Sequence, residues 1–282
     1  MKLSLIHIFL SFGTTLPELL FSSAAAMHDA TDMALGNAFG SIICNTGFIA
    51  GVMLLLSPTV LKKDNVRNIK TGYLWLLASC GVFLCSGVLF GGIPRLVSVI
   101  LLILCVFYVR GSLSEKNHAQ QEMVEGASFS APIPPFSALD FVQIALEAAL
   151  LYIGAEFLIK YGQRLAQAMG WPQVLISVTF VALGTSLPEL ITAITSVKKK
   201  HTALSLGNII GASILNLVLV GGFSGLIRPL PFHGNVMPVD FPFILLLTAI
   251  LCIPCIITRR ASRIQGVLLL LGYSGYLYLL FC

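Results

Sequence analysis

The strongest constraint in this sequence is a ten-residue motif that occurs twice, each time with one acid inside an apolar run. Residues 13–22 read GTTLPELLFS and residues 184–193 read GTSLPELITA. The offset of 171 residues, with no gap, also carries Gly36 and Asn37 onto Gly207 and Asn208, Gly40 onto Gly211, Asn45 onto Asn216 and Gly51 onto Gly222. Of the 39 positions from 13 to 51, 14 match their partners. A chain duplicated this way must place two carboxyl groups, Glu18 and Glu189, in whatever interior its apolar runs build.

That interior lies in a membrane. The chain is 57% hydrophobic and 10% charged, whereas soluble domains carry about 25% charged residues. A bilayer span takes ~20 mostly apolar residues. Nine such stretches are read at 3–26, 33–56, 70–90, 94–110, 138–162, 172–197, 203–227, 237–258 and 263–281. All are expected to be helical, because an open sheet leaves backbone polar groups unpaired in lipid. The expected fold is an all-α polytopic membrane protein. The polar stretch 112–137 reads as a linker loop, dividing the chain into units 1–111 and 138–282.

Loop charges orient the spans. Alternate loops hold 12 of the 17 basic residues: Lys62, Lys63, Arg67 and Lys70; Arg110 and Lys116; Lys198, Lys199 and Lys200; Arg259, Arg260 and Arg263. By the positive-inside rule these loops are cytoplasmic, which puts 112–137 inside and the C-terminus outside. The loop after the first motif helix, MHDATD, then lies outside, and its counterpart, KKKH, lies inside. The two copies therefore have opposite topology. Inverted repeats around a midplane site are a mark of secondary transporters.

An ionisable group within a span costs at least ~2.5 kcal/mol, so it marks a functional site by default. Two carboxylates facing each other repel unless protons or cations share them. Hard cations such as Ca²⁺ take six to eight oxygens, with carboxylates as the charged ligands. Pro17 and Pro188 remove helical hydrogen bonds to the carbonyls of Gly13 and Gly184, and these glycines are expected to admit close backbone approach. Thr14, Thr15, Thr185 and Ser186 add hydroxyls. Gly36 with Gly40, and Gly207 with Gly211, have the G-x-x-x-G spacing of close helix packing. Asn37, Ser41 and Asn45, with Asn208, Ser213 and Asn216, are polar inside the spans, as interhelical links or ion ligands. Glu156 is expected to pair with Lys160, four residues on, in a structural role, as is Glu147.

Other functions find no support. No GxSxG, phosphate-binding loop or HExxH occurs, so the chain is not expected to be an enzyme. No basic patch carries interleaved aromatics, which argues against nucleic acid. The seven cysteines fall mostly in apolar runs and read as packing residues, Cys252 and Cys255 included. No resident cofactor is expected.

The first motif begins about a dozen residues into the chain, whereas a whole span precedes the second. The first half is therefore expected to lack its opening helix. The residues LSLIHI also match what a transposon-based sequencing adapter encodes in one frame, so a truncated reading frame is expected.

GTTLPEL with GNAFGSIICN, and GTSLPEL with GNIIGASILN, closely resemble the two alpha-repeats of the sodium/calcium exchanger branch of the cation/calcium antiporter superfamily, in its prokaryotic form. The resemblance implies two inverted halves of five helices, the first helix missing here. It implies that Glu18 and Glu189 form a shared Ca²⁺/Na⁺ site and that Thr14 and Thr185 give backbone oxygen. Thr15 and Ser186 would line sodium positions, and Ser41 and Asn45 match further ligands. Ala212 stands where the family often has serine, and Asn216 where some members have aspartate. Asn216 is kept as a ligand, and Ser213 substitutes for the missing hydroxyl only if its helix rotates. The expectation is an inner (plasma) membrane antiporter exchanging Ca²⁺ for Na⁺ by alternating access, with these ions and the lipid bilayer as its partners. A Ca²⁺/H⁺ antiporter and a passive cation channel are the alternatives.

Overall fold

The computed structural model describes residues 2–123, 138–171, 173–199, 201–234 and 236–281. Helices dominate: α1 (Lys2–Met27), α2 (Thr31–Leu56), α3 (Lys63–Phe90), α4 (Arg95–Met123), α5 (Ala138–Met169), α6 (Val174–Thr185), α7 (Leu187–Lys198), α8 (Thr202–Ile227), α9 (Val236–Thr258) and α10 (Arg263–Phe281). Six of them are long and apolar enough to cross a membrane, seven when the bent pair α6–α7 counts as one, against nine stretches read from sequence. This is an all-α polytopic membrane protein. Its outward apolar side chains, such as Val88, Leu89, Ile257 and Leu271, are exposed because lipid is their solvent.

Helices outrun the apolar stretches that announced them. α3 begins at Lys63 and α5 continues to Met169. α4 continues to Met123, so the expected 112–137 linker is helical over its first part; residues 124–137 of that linker lie outside the described residues. Backbone hydrogen bonding needs no apolar side chain, so a helix continues where hydropathy stops.

The duplication is visible in the backbone. α2 and α8 are each 26 residues long and start and stop at positions 171 apart. Each widens into a π turn midway, at Cys44–Ile49 and at Asn216–Gly221. After α2 comes β1 (Thr59–Val60), and after α8, at the same offset, β3 (Leu230–Pro231). β1 pairs antiparallel with β4 (Arg260–Ala261), and β2 (Gly92–Ile93) pairs antiparallel with β3. β1 and β2 flank the 28-residue α3, a rod about 42 Å long at 1.5 Å per residue. The two equivalent strands, β1 and β3, therefore lie at opposite ends of α3.

Glycine sets the closest approach. A Cβ at Gly40 would meet Ala182 Cβ and the Val178 backbone at 2.7 Å, and one at Gly36 would meet Ser177 Cβ at 3.1 Å. α2 and α6 are thus in backbone contact, as the G-x-x-x-G spacing predicts for the first copy. Gly207, in the second copy, has open space beside it. Among the described residues, nothing lies within 4 Å of a Cβ placed at Gly13 or Gly184, so the close backbone approach expected there is not seen among them. The two proline motifs differ as well. α1 runs continuously through Pro17, whereas the second copy breaks at Ser186 and bends by 44°. Pro188 then falls in the first turn of α7, where its missing N–H costs nothing.

Candidate ion-binding site

The two motifs meet in the middle of the bundle. Glu18 on α1 and Glu189 on α7 are both buried, and Glu189 is close enough to act on Glu18 electrostatically. Ser186, at the α6–α7 break, donates to Glu18 Oε1 at 3.2 Å. Ser41 stands against Glu18, and Thr14 against Glu189. The break at Ser186 turns the second motif back towards α1, which brings the hydroxyl of one copy onto the carboxylate of the other.

A second layer of bonds holds this meeting point. Asn37 Nδ2 donates to Ser22 Oγ at 2.9 Å and to the Glu18 carbonyl at 3.3 Å. Asn37 Oδ1 accepts from Thr185 Oγ1 at 3.1 Å, and Ser41 Oγ lies 3.5 Å from that same hydroxyl. Ser22 Oγ donates to the Ala34 carbonyl at 3.1 Å, and Ser177 Oγ to the Met33 carbonyl at 2.6 Å. Of the two readings open for Asn37, the structure selects the interhelical link: its amide fastens α1, α2 and α6 together.

The unpaired atoms are more informative than the paired ones. Among the described residues, ten buried side-chain N and O atoms have no hydrogen-bond partner, and seven belong to four residues: Glu18 Oε2, both oxygens of Glu189, and both amide atoms of Asn45 and of Asn216. Buried polar atoms are almost always paired, so each exception needs a cause. Asn45 and Asn216 are repeat partners, both within or beside the π turns of α2 and α8. A π turn often marks a functional site. Among the described residues no Lys, Arg or His side chain is buried to balance the carboxylates.

The other sequence candidates lie on α1, α8 and α5. Thr15 is buried in α1. Ser213 is buried, but its hydroxyl donates to the Ile209 carbonyl of its own helix at 2.9 Å. Ala212, fully buried beside it, occupies the position that Ser41 holds in the first copy. The side chain of Glu147 lies outside the described residues. Glu156 Oε1 lies 2.8 Å from His28 Nε2 of the α1–α2 turn, so its cross-helix partner is His28 and not only a neighbour on its own helix. Two more contacts tie the same turn region to the second half: Arg228 with Asp29, and His233 Nδ1 with Asp32 Oδ1 at 2.9 Å.

One buried acid escaped the sequence reading. Asp240, in the opening turn of α9, accepts from the Tyr276 hydroxyl at 2.8 Å and has Oδ2 unpaired. Its signal was present: an acid inside the stretch read as span 237–258.

The chain belongs to the sodium/calcium exchanger protein family, whose model matches residues 6–113 and 139–282. It is 31% identical to the inner membrane protein YrbG of Escherichia coli over 282 residues, 96% of this chain and 84% of that protein. It is 28% identical to the sodium/calcium exchanger MaX1 of Methanosarcina acetivorans, over 96% of this chain and 86% of that protein. Among solved structures it is similar to the sodium-calcium exchanger NCX_Mj, with a TM-score of 0.67 and 26% identity over 95% of this chain and 84% of that one. The protein is thus a membrane transporter of cations and not an enzyme.

Proposed function

We propose that the protein exchanges Ca²⁺ for Na⁺ across the membrane by alternating access, at a site between the two motifs. Glu18 and Glu189 supply the charge. Ser41, Asn45, Ser186 and Asn216 supply neutral oxygens, and Thr14 and Thr185 bring their backbone carbonyls and hydroxyls alongside. Thr15 completes the hydroxyl set on the first motif. Ser213 donates its proton to the Ile209 carbonyl of its own helix, which leaves its oxygen lone pairs free, and it is kept as a further hydroxyl ligand. The observation that carries this reading is the convergence of seven unpaired buried polar atoms on Glu18, Glu189, Asn45 and Asn216. Two carboxylates match one divalent cation, and unpaired amide oxygens on the π turns packed against α7 and α1 are what a dehydrated ion needs.

The mechanism follows from charge. Two buried carboxylates with no buried base are costly to enclose empty. The cavity therefore closes when Ca²⁺ or Na⁺ neutralises it, and exchange is favoured over leak. That balance speaks against a passive channel. Inverted halves, 1–111 and 138–282 joined by a cytoplasmic 112–137 segment, are supported by the placement of β1 and β3 at opposite ends of α3. The basic residues flanking β1 and β4 gather at one of those ends, supporting a cytoplasmic face there and an outer C-terminus. Similarity to an inner membrane protein supports the same location here.

The test is Na⁺-driven ⁴⁵Ca²⁺ uptake into vesicles carrying the reconstituted chain. Glu18→Gln and Glu189→Gln should each abolish it; uptake near the wild-type rate in either variant would sink the assignment. Uptake driven by a pH gradient without sodium would replace Na⁺ by H⁺ as the coupling ion.

A further inference from the structure

We propose that Asp240 is a proton-binding site inside the membrane, held by the Tyr276 hydroxyl and separate from the glutamate pair, through which transport responds to pH. Asp240 is fully buried. Tyr276 donates to Oδ1 at 2.8 Å, and Oδ2 has no partner. The surroundings are aromatic: Phe241 meets Phe39 edge-on at 5.6 Å and Phe83 at 6.4 Å, while Phe243 packs on Tyr276 at 5.3 Å.

An ionised carboxylate here would have one hydrogen bond and no countercharge, an arrangement far more costly than that bond repays. The elements packed against α9 are α2, α3, α10 and, at the end of α9 far from Asp240, β4, whose Arg260 is exposed. Their buried or partly buried titratable groups are Asp32, Cys44, Tyr73, Cys80, Tyr273 and Tyr276, all neutral or acidic, and only Tyr276 acts on Asp240. Cys252 and Cys255 lie about three and four turns further along α9 itself. His233, upstream of α9, is engaged with Asp32. The occupant of Oδ2 is therefore a cation or a proton. Among the described residues no group of three or more His, Cys, Asp and Glu is placed to hold a metal ion, and hard cations demand many oxygens. One carboxyl and one phenol suit a proton.

A route from this site to the ion cluster exists in the packing. Tyr276 is on α10, and α10 is pressed onto α2: a Cβ at Gly47 would meet Tyr273 Cβ at 3.0 Å, and one at Gly266 would meet the Gly51 carbonyl at 2.8 Å. Gly47 belongs to the π turn that carries Asn45. A charge appearing at Oδ2 draws water towards the α9–α10 seam and so loosens the wall behind Asn45. This role in transport rests on the exchange reading; protonation of Asp240 does not.

Two measurements separate them. Infrared spectra of the full chain in lipid nanodiscs should show, at mildly acidic pH, a protonated carboxyl band that fades as the pH is raised and is absent in Asp240→Asn. In Tyr276→Phe the band should move to higher frequency, as the hydrogen bond to the C=O is removed. A wild-type band unchanged in Asp240→Asn overturns the proposal, as does a band that Na⁺ or Ca²⁺ abolishes at fixed pH. Should Asp240→Asn fail to fold, a band unmoved in Tyr276→Phe is equally fatal. In vesicles, Asp240→Asn should flatten the pH dependence of Ca²⁺ uptake; an unaltered profile overturns the link to transport. If wild-type vesicles move no Ca²⁺, the exchange reading fails, and the spectra still decide the proton site.

Discussion

Ser186 of the second motif donates to Glu18 of the first at 3.2 Å, so the carboxylate of one half is aimed by a hydroxyl of the other. A hydrogen bond to a charged group contributes about 1.5–3 kcal/mol. Ser186→Ala should therefore raise the half-saturating Ca²⁺ concentration for uptake roughly tenfold or more, with protein yield unchanged. Titrating uptake against Ca²⁺ in vesicles checks this, and an unaltered half-saturation point would show that the bond does not orient the ligand.

Asn45 sets function against stability. Both of its amide atoms are buried and unpaired. Replacing such a group by an apolar one of similar shape is neutral or stabilising, because the desolvation penalty of about 1–3 kcal/mol disappears. Asn45→Leu should unfold at the wild-type temperature or above it in ion-free detergent, and should lose most of the rise in melting temperature that Ca²⁺ gives the wild type. A drop in ion-free stability would mean that Asn45 has a partner within the fold.

Gly40 and Gly207 should respond oppositely to alanine. At Gly40 a methyl meets backbone at 2.7 Å, and overpacking costs typically about 1–3 kcal/mol. Gly207 has nothing within 4 Å, and alanine in a helix gains about 0.5–1 kcal/mol over glycine. Thermal unfolding followed by tryptophan fluorescence should place Gly40→Ala below the wild type and Gly207→Ala at or above it.

The contacts of the α1–α2 turn should contribute little stability. His233 and Asp32 are 60% and 35% exposed as side chains, and exposed pairs are worth about 0–1 kcal/mol. A double-mutant cycle of His233→Ala and Asp32→Ala should give a coupling within that range, shrinking as salt is added.

Much of this was legible because the sequence repeats. An acid in an apolar run is rare, and finding it twice in register marked Glu18 and Glu189 before any coordinates. The register also held for α2 and α8, whose bounds differ by the 171-residue offset at both ends. What the repeat could not convey is where the copies differ. Thr15 and Ser186 occupy matching places in nearly identical motifs, yet only the second breaks the helix; tertiary packing decides, not the local residues. Asp240 went unmarked because it has no copy: the position 171 residues earlier is Ile69. Glu156 showed its neighbour Lys160 in the sequence, while its bond to His28 spans 128 residues, a distance that no local rule covers.

The two-residue ladders β1–β4 and β2–β3 have a mechanical consequence. Each joins a strand of the first half to a strand of the second, and they do so at opposite ends of α3. The segments before and after residue 124 are thus fastened to each other at both ends of α3. Swinging them apart at either end would undo a ladder and bare a strand edge. In the exchange proposed above, motion that exposes the site to one side and then the other is expected to run within this fastened frame.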